Sequence, residues 1–258
     1  MKLTIGMAVY NDFKGLYFTL QALRIYHDLS DVEVMVVDNR GDDKLKEWVA
    51  YWLKDVRYER YTLNQGTTQP RQHVFDAASG DYVICIDSHV LLEQDTIPSM
   101  LQWIDKNPDC DDLLHGPMLY DNGTDAITHM DPVWRENMWG IWHNTQEADI
   151  PTEPFEIPMM GLGLFGARRE SWLGFNPAFR GFGGEEGYIH HKYRNHGRKT
   201  LCLPFLKWYH FFGLQPGYPL DITDRVRNYL IGFWEVGLDT APIIEHFGKR
   251  LVERVIYA

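Results

Sequence analysis

The stretch YVICIDSHVLLE (residues 82–93) runs through five apolar positions and then closes on Asp87, Ser88 and His89. The apolar run predicts a buried β-strand. Side chains two positions apart in a strand face the same way, so Asp87 and His89 point together. They form either a polar turn after a core strand or two ligands for a divalent cation such as manganese. Taken alone, the D-x-H pattern favours the turn.

The chain before this stretch alternates between strand and helix patterns. Parallel sheets with helices on both faces are built from such alternation. We therefore predict an α/β fold with a mainly parallel central sheet, whose ligands bind beyond the carboxyl ends of the strands. The segment 3–12 predicts a strand followed by a loop, further strands are predicted at 32–38, 56–61 and 82–87, and helices are predicted at 15–27, 44–55 and 68–78.

The second half of the chain has a less regular pattern. The segment 121–157 lacks a sustained period and predicts a long loop or an insertion of short helices. The remaining elements are predicted as a helix at 95–108, a strand at 111–120, a strand and helix at 161–175, a helix at 184–197, a strand at 199–213 and two amphipathic helices at 224–237 and 242–257.

The overall composition limits the classes of function. The net charge of −11 disfavours nonspecific binding to nucleic acid or to an anionic membrane, although it leaves room for a local basic groove. Three scattered cysteines, none in a CxxC pattern, argue against a disulfide framework and fit a reducing compartment. The sequence contains neither a signal-peptide pattern nor a run near the roughly 20 apolar residues of a membrane span. We predict a soluble, cytoplasmic protein.

Two polar residues near the predicted sheet edge have open roles. Asp38, which closes the second strand, is either a solvated turn residue or an acceptor for a nucleobase or ribose. Arg71, near the start of the third helix, is either an exposed helix residue or a charge partner for a diphosphate.

Other chemistry-bearing residues lie in the second half. His190, His191 and His196 have polar neighbours, which favours exposed or capping roles over metal binding. Trp134, Trp139 and Trp142 are either core anchors or flat platforms for an acceptor, with neither interpretation favoured.

The segments IGMAVYND (5–12), VVDNRGDD (36–43), 64–89 and 158–197 together resemble a GT-A glycosyltransferase. The D-S-H, the later GGE and a histidine on a following strand resemble the polypeptide N-acetylgalactosaminyltransferases in particular. The similarity covers about residues 1–213. It implies one GT-A domain with a nucleotide-binding half (1–95) and an acceptor half (96–213), followed by a helical extension (214–258).

The resemblance implies roles for individual residues. Asp87, His89 and His210 match the manganese ligands of that family, and Asp38 and Arg71 match positions around the uridine. Glu185 matches the glutamate beside the donor sugar, and Glu186 is a second candidate catalytic carboxylate. The nucleotide-binding set is predicted as Ala8, Tyr10, Asp38, Gly66, Arg71, Asp87 and Ser88.

The sequence also departs from the family pattern. Phe182 replaces the Trp before Gly-Gly-Glu, Glu186 replaces the following Asn, and Leu162-Gly163 replaces a Gly-Gly pair. The family's membrane anchor, disulfides and lectin domain have no counterpart in these 258 residues. These departures leave the identities of sugar and acceptor open.

The predicted function is metal-dependent transfer of a hexose or N-acetylhexosamine from a UDP-sugar to an acceptor hydroxyl, with Mn²⁺ or another divalent cation as cofactor. The D-x-H and His210 favour retention of configuration, whereas the acid pair Glu185–Glu186 is also compatible with inversion by a general base. Two alternatives are a glycosyltransferase acting on a modified DNA base and an inactive GT-A module that only binds.

Overall fold

A computed structural model describes residues 1–41, 43–62, 66–211 and 220–256. Its first half contains the alternating elements β1 (Leu3–Val9), α1 (Phe13–Tyr26), β2 (Val32–Asp38), α2 (Asp43–Trp52), β3 (Val56–Arg60), α3 (Thr68–Ala77) and β4 (Tyr82–Asp87). The four strands form the parallel order β3-β2-β1-β4. The predicted α/β fold is thus confirmed for this half.

The second half completes the main sheet and adds a smaller one. Its elements are β5 (Val90–Leu92), α4 (Thr96–Lys106), β6 (Leu113–His115), β7 (Met118–Leu119), β8 (Asp125–Arg135), β9 (Met138–Gln146), β10 (Phe155–Glu156), β11 (Leu164–Arg168), α5 (Glu185–Asn195), β12 (Thr200–Cys202), β13 (Trp208–His210), α6 (Ile222–Val236), α7 (Ala241–Phe247) and α8 (Lys249–Ile256). The main sheet has the order β10-β12-β6-β11-β4-β1-β2-β3, and the smaller sheet has the order β5-β13-β7-β8-β9.

The main sheet is buried on both faces because its strands carry apolar side chains in both directions. On β2, Val34 and Val36 pack into the core with α1 and α2, whereas Met35 and Val37 pack on the opposite face with α3 and α5. Side chains alternate between the two faces of a strand, so a nearly continuous apolar run is what a sheet covered by helices requires.

Most of the segment predicted as a loop or short helices, 121–157, is instead a long β-hairpin formed by β8 and β9, and a short 3-10 turn follows it at Glu147–Asp149. Register shifts between Ile127 and His129 and between Asp131 and Trp134 interrupt its pairing. Each shift moves the side-chain alternation by one residue, which hides the period of two that identifies a strand.

Four other predicted elements are interrupted in the structure. The predicted strand 111–120 divides at Gly116 into β6 and β7, and the predicted strand 199–213 divides into β12 and β13; each pair is shared between the two sheets. A short 3-10 turn, not an α-helix, follows β11, and Gly248 divides the last helix into α7 and α8. The predicted domain boundary at 213–214 lies outside the described residues.

Helix α6, in the C-terminal part of the chain, holds the loop that precedes α5 in place through hydrogen bonds and a ring contact. Asn228 Nδ2 donates hydrogen bonds to the carbonyl oxygens of Arg180 and Gly183, at 2.7 and 2.9 Å. The Arg225 guanidinium lies 5.1 Å from the centre of the Phe182 ring, a cation–π contact. The end of the chain therefore stabilises a segment that borders the main cavity.

Candidate functional site

A cavity of about 340 Å³ opens at the carboxyl ends of β1, β2 and β4. This is where ligands bind in open α/β sheets. Of the residues predicted for the site, those that line the cavity are Ala8, Tyr10, Gly66, Arg71, Asp87, Ser88, His89, Glu186 and His210. Asp38 and Glu185 do not line it.

The three predicted metal ligands come together at the junction of the two sheets. Asp87 ends β4 in the main sheet, and β5 of the smaller sheet begins at Val90. His89 therefore lies in the two-residue connection between the sheets. His210 is opposite Val90 in the pairing of β13 with β5, which places its ring 4.7 Å from that of His89. Donor atoms of all three side chains lie within 4.8 Å of one another, and His210 Nε2 is 3.7 Å from Asp87 Oδ2.

This donor set fits a divalent cation. One carboxylate oxygen and two imidazole nitrogens suit Mn²⁺, Zn²⁺ and similar ions, and the open cavity beside them leaves coordination positions for a ligand's oxygens. The convergence depends on β13, which is far from Asp87 in sequence.

Asp12 orients His89, a role that the sequence did not reveal. Its Oδ2 lies 2.8 Å from His89 Nδ1 and also accepts a hydrogen bond from Ser88 Oγ at 2.8 Å. The carboxylate thus holds a proton on Nδ1 and leaves the lone pair on Nε2, as the carboxylate partners of ligating histidines do in metal sites. Burial lowers the pKa of His89, but Asp12 and Asp87 outweigh burial and raise it overall.

Arg71 is buried at the centre of the site. Its guanidinium lies 2.8 Å from Asp87 Oδ1 and 3.5 Å from Glu185 Oε1. Arg71 is therefore not an exposed helix residue, and its role as a charge partner for a diphosphate stays a prediction. Burial raises the pKa of Asp87, yet Arg71 and His210 more than compensate and hold it well below its usual value.

Glycine allows the loop before α3, the helix of Arg71, to contact the loop before α5, the helix that begins at Glu185. Gly66 has a φ of +97°, and a Cβ there would lie 2.0 Å from the carbonyl oxygen of Gly181. Thr67 N donates to that oxygen at 3.0 Å, and Thr67 Oγ1 donates to Glu185 Oε1 at 2.7 Å. The loop before α3 and the loop before α5 are thereby fixed to each other.

The two glutamates at the start of α5 have different positions. Glu185 is fully buried between Thr67 and Arg71, so the prediction that it lies beside the donor sugar has no support from the cavity lining. Glu186 lines the cavity. Burial, and then the charge of Glu185, raises the pKa of Glu186 to about 8. Glu186 is therefore the carboxyl group placed to exchange a proton with a bound ligand.

Asp38 is fully buried at the end of β2, so it is not a solvated turn residue. Its carboxylate accepts hydrogen bonds from the backbone N–H groups of Arg40 and Gly41 and, at 2.6 Å, from the Tyr58 hydroxyl. The neighbouring Asn39 lines the cavity instead. A uridine contact by Asp38 stays a prediction.

His190 is fully buried, contrary to the expected exposed or capping role. Its Nε2 accepts a hydrogen bond from Met160 N and lies 2.9 Å from Nε2 of the equally buried His115. His191 stacks on Trp139, and His196 is exposed at the end of α5. The sequence around His190 gave no sign of the His115 partner, which lies 75 residues away.

The three tryptophans of the hairpin have separate roles. Trp134 packs against Tyr229 and Phe247, and Trp139 packs against Phe233, so both anchor the C-terminal helices. Trp142 is 37% exposed and lines the cavity. Of the three, Trp142 alone has the position of an acceptor platform.

The model of glycosyl transferase family 2 matches residues 4–172, about two thirds of the chain. The chain belongs to this family. Membership assigns it to the glycosyltransferases. Polypeptide N-acetylgalactosaminyltransferase 10 from Mus musculus is 28% identical over 226 residues, which cover 80% of this chain and 37% of the mouse protein. The chain thus spans little more than a third of the curated relatives that it matches.

Solved structures confirm the predicted GT-A fold. The crystal structure of GalNAc-T7 with UDP, GalNAc and Mn²⁺ matches with a TM-score of 0.70 and 20% identity, covering 91% of this chain and 48% of that one. S. aureus TarS 1-349 in complex with UDP-GlcNAc matches with a TM-score of 0.58 and 16% identity, covering 99% and 72%. Within the described residues, none of the helices is long and apolar enough to cross a membrane.

Replacing Arg71 with methionine is expected to destabilise the fold strongly. The change leaves Asp87 and Glu185 in a buried site without their cation, and breaking a buried ion pair in this way costs about 3–5 kcal/mol. Urea unfolding followed by circular dichroism measures the free energy of unfolding. Arg57→Met is the matched control, because Arg57 also bridges two glutamates but is 40% exposed, and its loss is expected to cost about 1 kcal/mol or less. Equal losses in the two variants would contradict the structural role of Arg71.

Glu186 is expected to make the protein less stable as pH rises. Its pKa is raised in the folded state, so folding takes up a proton between the ordinary carboxyl pKa of about 4.3 and about 8. The free energy of unfolding should fall across this window, and Glu186→Gln should flatten the decline. Urea unfolding at intervals from pH 5 to 9 measures the free energy of unfolding as a function of pH. Glu170→Gln is the control, because the Glu170 side chain is 77% exposed. An unchanged slope in Glu186→Gln would show that Glu186 ionises normally.

Proposed function

We propose that the protein transfers a sugar from a UDP-sugar to an acceptor hydroxyl, using a divalent cation held by Asp87, His89 and His210. The observation that carries the proposal is the convergence of these three donor groups beside a cavity at the carboxyl edge of a GT-A sheet. The GalNAc-T7 and TarS structures, with UDP and GalNAc and with UDP-GlcNAc respectively, support a nucleotide-sugar donor. The cation, when bound, supplies positive charge beside the donor diphosphate.

Three residues around the cation site have separate roles in binding the cation and the substrates. Arg71 contributes a fixed guanidinium at the cavity wall and keeps Asp87 ionised for metal binding. Asp12 holds His89 in the tautomer that leaves Nε2 available. Trp142 offers an exposed ring against which an acceptor sugar or peptide packs.

The stereochemical outcome depends on Glu186. We propose retention, on the D-x-H and His210 pattern, with no protein base taking the acceptor proton. A second outcome, inversion, is favoured by the cavity position and raised pKa of Glu186, because a general base works best with a pKa near the working pH. Proton NMR of the newly formed anomeric bond distinguishes them. Under inversion, Glu186→Gln should lower kcat by on the order of 100-fold or more.

The other predicted functions gain less from the structure. Arg71 is the only arginine or lysine among the described residues that line the cavity, so a groove for DNA finds no support there. We retain residues 1–213 as the GT-A unit and 214–258 as its extension. A cytoplasmic location stays a prediction.

A panel of UDP-sugars tests the proposal, with mass spectrometry detecting released UDP and sugar. At least one donor should be consumed, and only with Mn²⁺ or a similar cation. Asp87→Ala and His210→Ala should each reduce this turnover by on the order of 100-fold, because each removes a ligand. The control Asp105→Ala, at an exposed position on α4, should leave it unchanged. Turnover by both ligand variants with unaltered manganese dependence would refute the ligand assignment.

A further inference from the structure

A second group of metal-ligating side chains lies on the β8–β9 hairpin, apart from the cavity. His129 is directly opposite His143 in the pairing of the two strands, and Asp131 is two residues along β8. Because side chains alternate along a strand, these three share one face of the hairpin. Met130 and its partner Trp142 occupy the other face. The register shift between Ile127 and His129 sets this arrangement.

The donor atoms of this group have the spacing of a coordination site. His129 Nε2 lies 3.6 Å from Asp131 Oδ1, and His143 Nδ1 lies 3.3 Å from Asp131 Oδ2. Two ligands bound at about 2.0–2.1 Å to one tetrahedral zinc ion are about 3.4 Å apart. All three donor groups lie within 4.8 Å of one another. A single carboxylate therefore faces two imidazole nitrogens at ligand-to-ligand distance.

The surroundings of the two imidazoles also favour a metal over a simple ion pair. The rings stack at 4.2 Å with an angle of 18°, an arrangement that two protonated imidazoles would disfavour. Nδ1 of His129 is engaged by Thr128 Oγ1 at 2.9 Å, which leaves Nε2 directed at the carboxylate. This resembles the partner that orients a ligating histidine in many metal sites.

We propose that His129, Asp131 and His143 form a second metal site that binds Zn²⁺ or a similar divalent transition-metal ion. Two imidazoles and a carboxylate are a common zinc ligand set, with the fourth position open to water. A metal here would join β8 to β9 and so brace the hairpin that carries Trp142 to the cavity. This proposal stands independently of the cation proposed at Asp87.

Zinc titration by isothermal calorimetry, on the whole chain first freed of metal with a chelator, tests the site. The His210→Ala variant, which lacks one of the ligands proposed at the cavity, should still bind one equivalent of Zn²⁺. Adding His143→Ala or Asp131→Asn to that variant should abolish binding, whereas adding His196→Ala, an exposed histidine outside the group, should not. His143 is 48% exposed, so its replacement leaves the core intact.

Wild-type protein separates this proposal from the catalytic one. If both sites bind, it should take up two equivalents of Zn²⁺, and His143→Ala one. If only the hairpin site binds, wild type should take up one equivalent and His143→Ala none. The hairpin site is overturned if His210→Ala binds no zinc, or if His143→Ala and Asp131→Asn each bind as much as their parent. Cobalt substitution provides a second measurement. The visible ligand-field spectrum of the cobalt-loaded protein should lose its tetrahedral component in His143→Ala and keep it in His196→Ala.

Discussion

The buried guanidinium of Arg71 is the constraint on which the rest of the site depends. It lies between Asp87 at the end of β4 and Glu185 at the start of α5, and neither carboxylate is free to move away without leaving a charge unpaired in the interior. Burying three charged groups carries a large desolvation cost, so the structure must hold them at short distance. The Gly66–Gly181 approach and the bond from Thr67 to Glu185 do so. The two halves of the GT-A domain are therefore joined at the point where the cavity opens.

This arrangement explains how Asp87 can serve two partners. One oxygen faces Arg71 and the other faces His210, so the carboxylate is held toward the position that we propose for the cation. The second sheet places the two histidines beside Asp87, because β5 follows β4 after only two residues and pairs with β13, which carries His210. The candidate ligands thus come from the mainly parallel half of the large sheet and from the smaller, mixed sheet. Helix α6 supports the same region from outside by fastening the loop at Arg180–Gly183.

The sequence predicted the first half of the fold well because each element there has an unbroken period. Asp87, His89 and Arg71 could be placed at the sheet edge because they lie near the ends of such elements, whereas the candidate ligand His210 could be added only through the family resemblance. The hairpin at 125–146 was missed because two register shifts break its alternation. The positions of Asp12, His190 and Glu185 could not be predicted for a different reason. Their contacts are with partners 77, 75 and 114 residues away, which no local pattern reveals.

We propose that Asp87, His89 and His210 together hold the cation that meets the donor diphosphate. Crystals of the protein grown with UDP and manganese, with diffraction data collected at the manganese absorption edge, test it directly. We expect an anomalous peak bonded to Asp87 Oδ2, His89 Nε2 and a nitrogen of His210, and also to a UDP phosphate oxygen. UDP seated in the cavity with no peak at these three side chains would contradict the ligand assignment, whether or not manganese also binds at the hairpin.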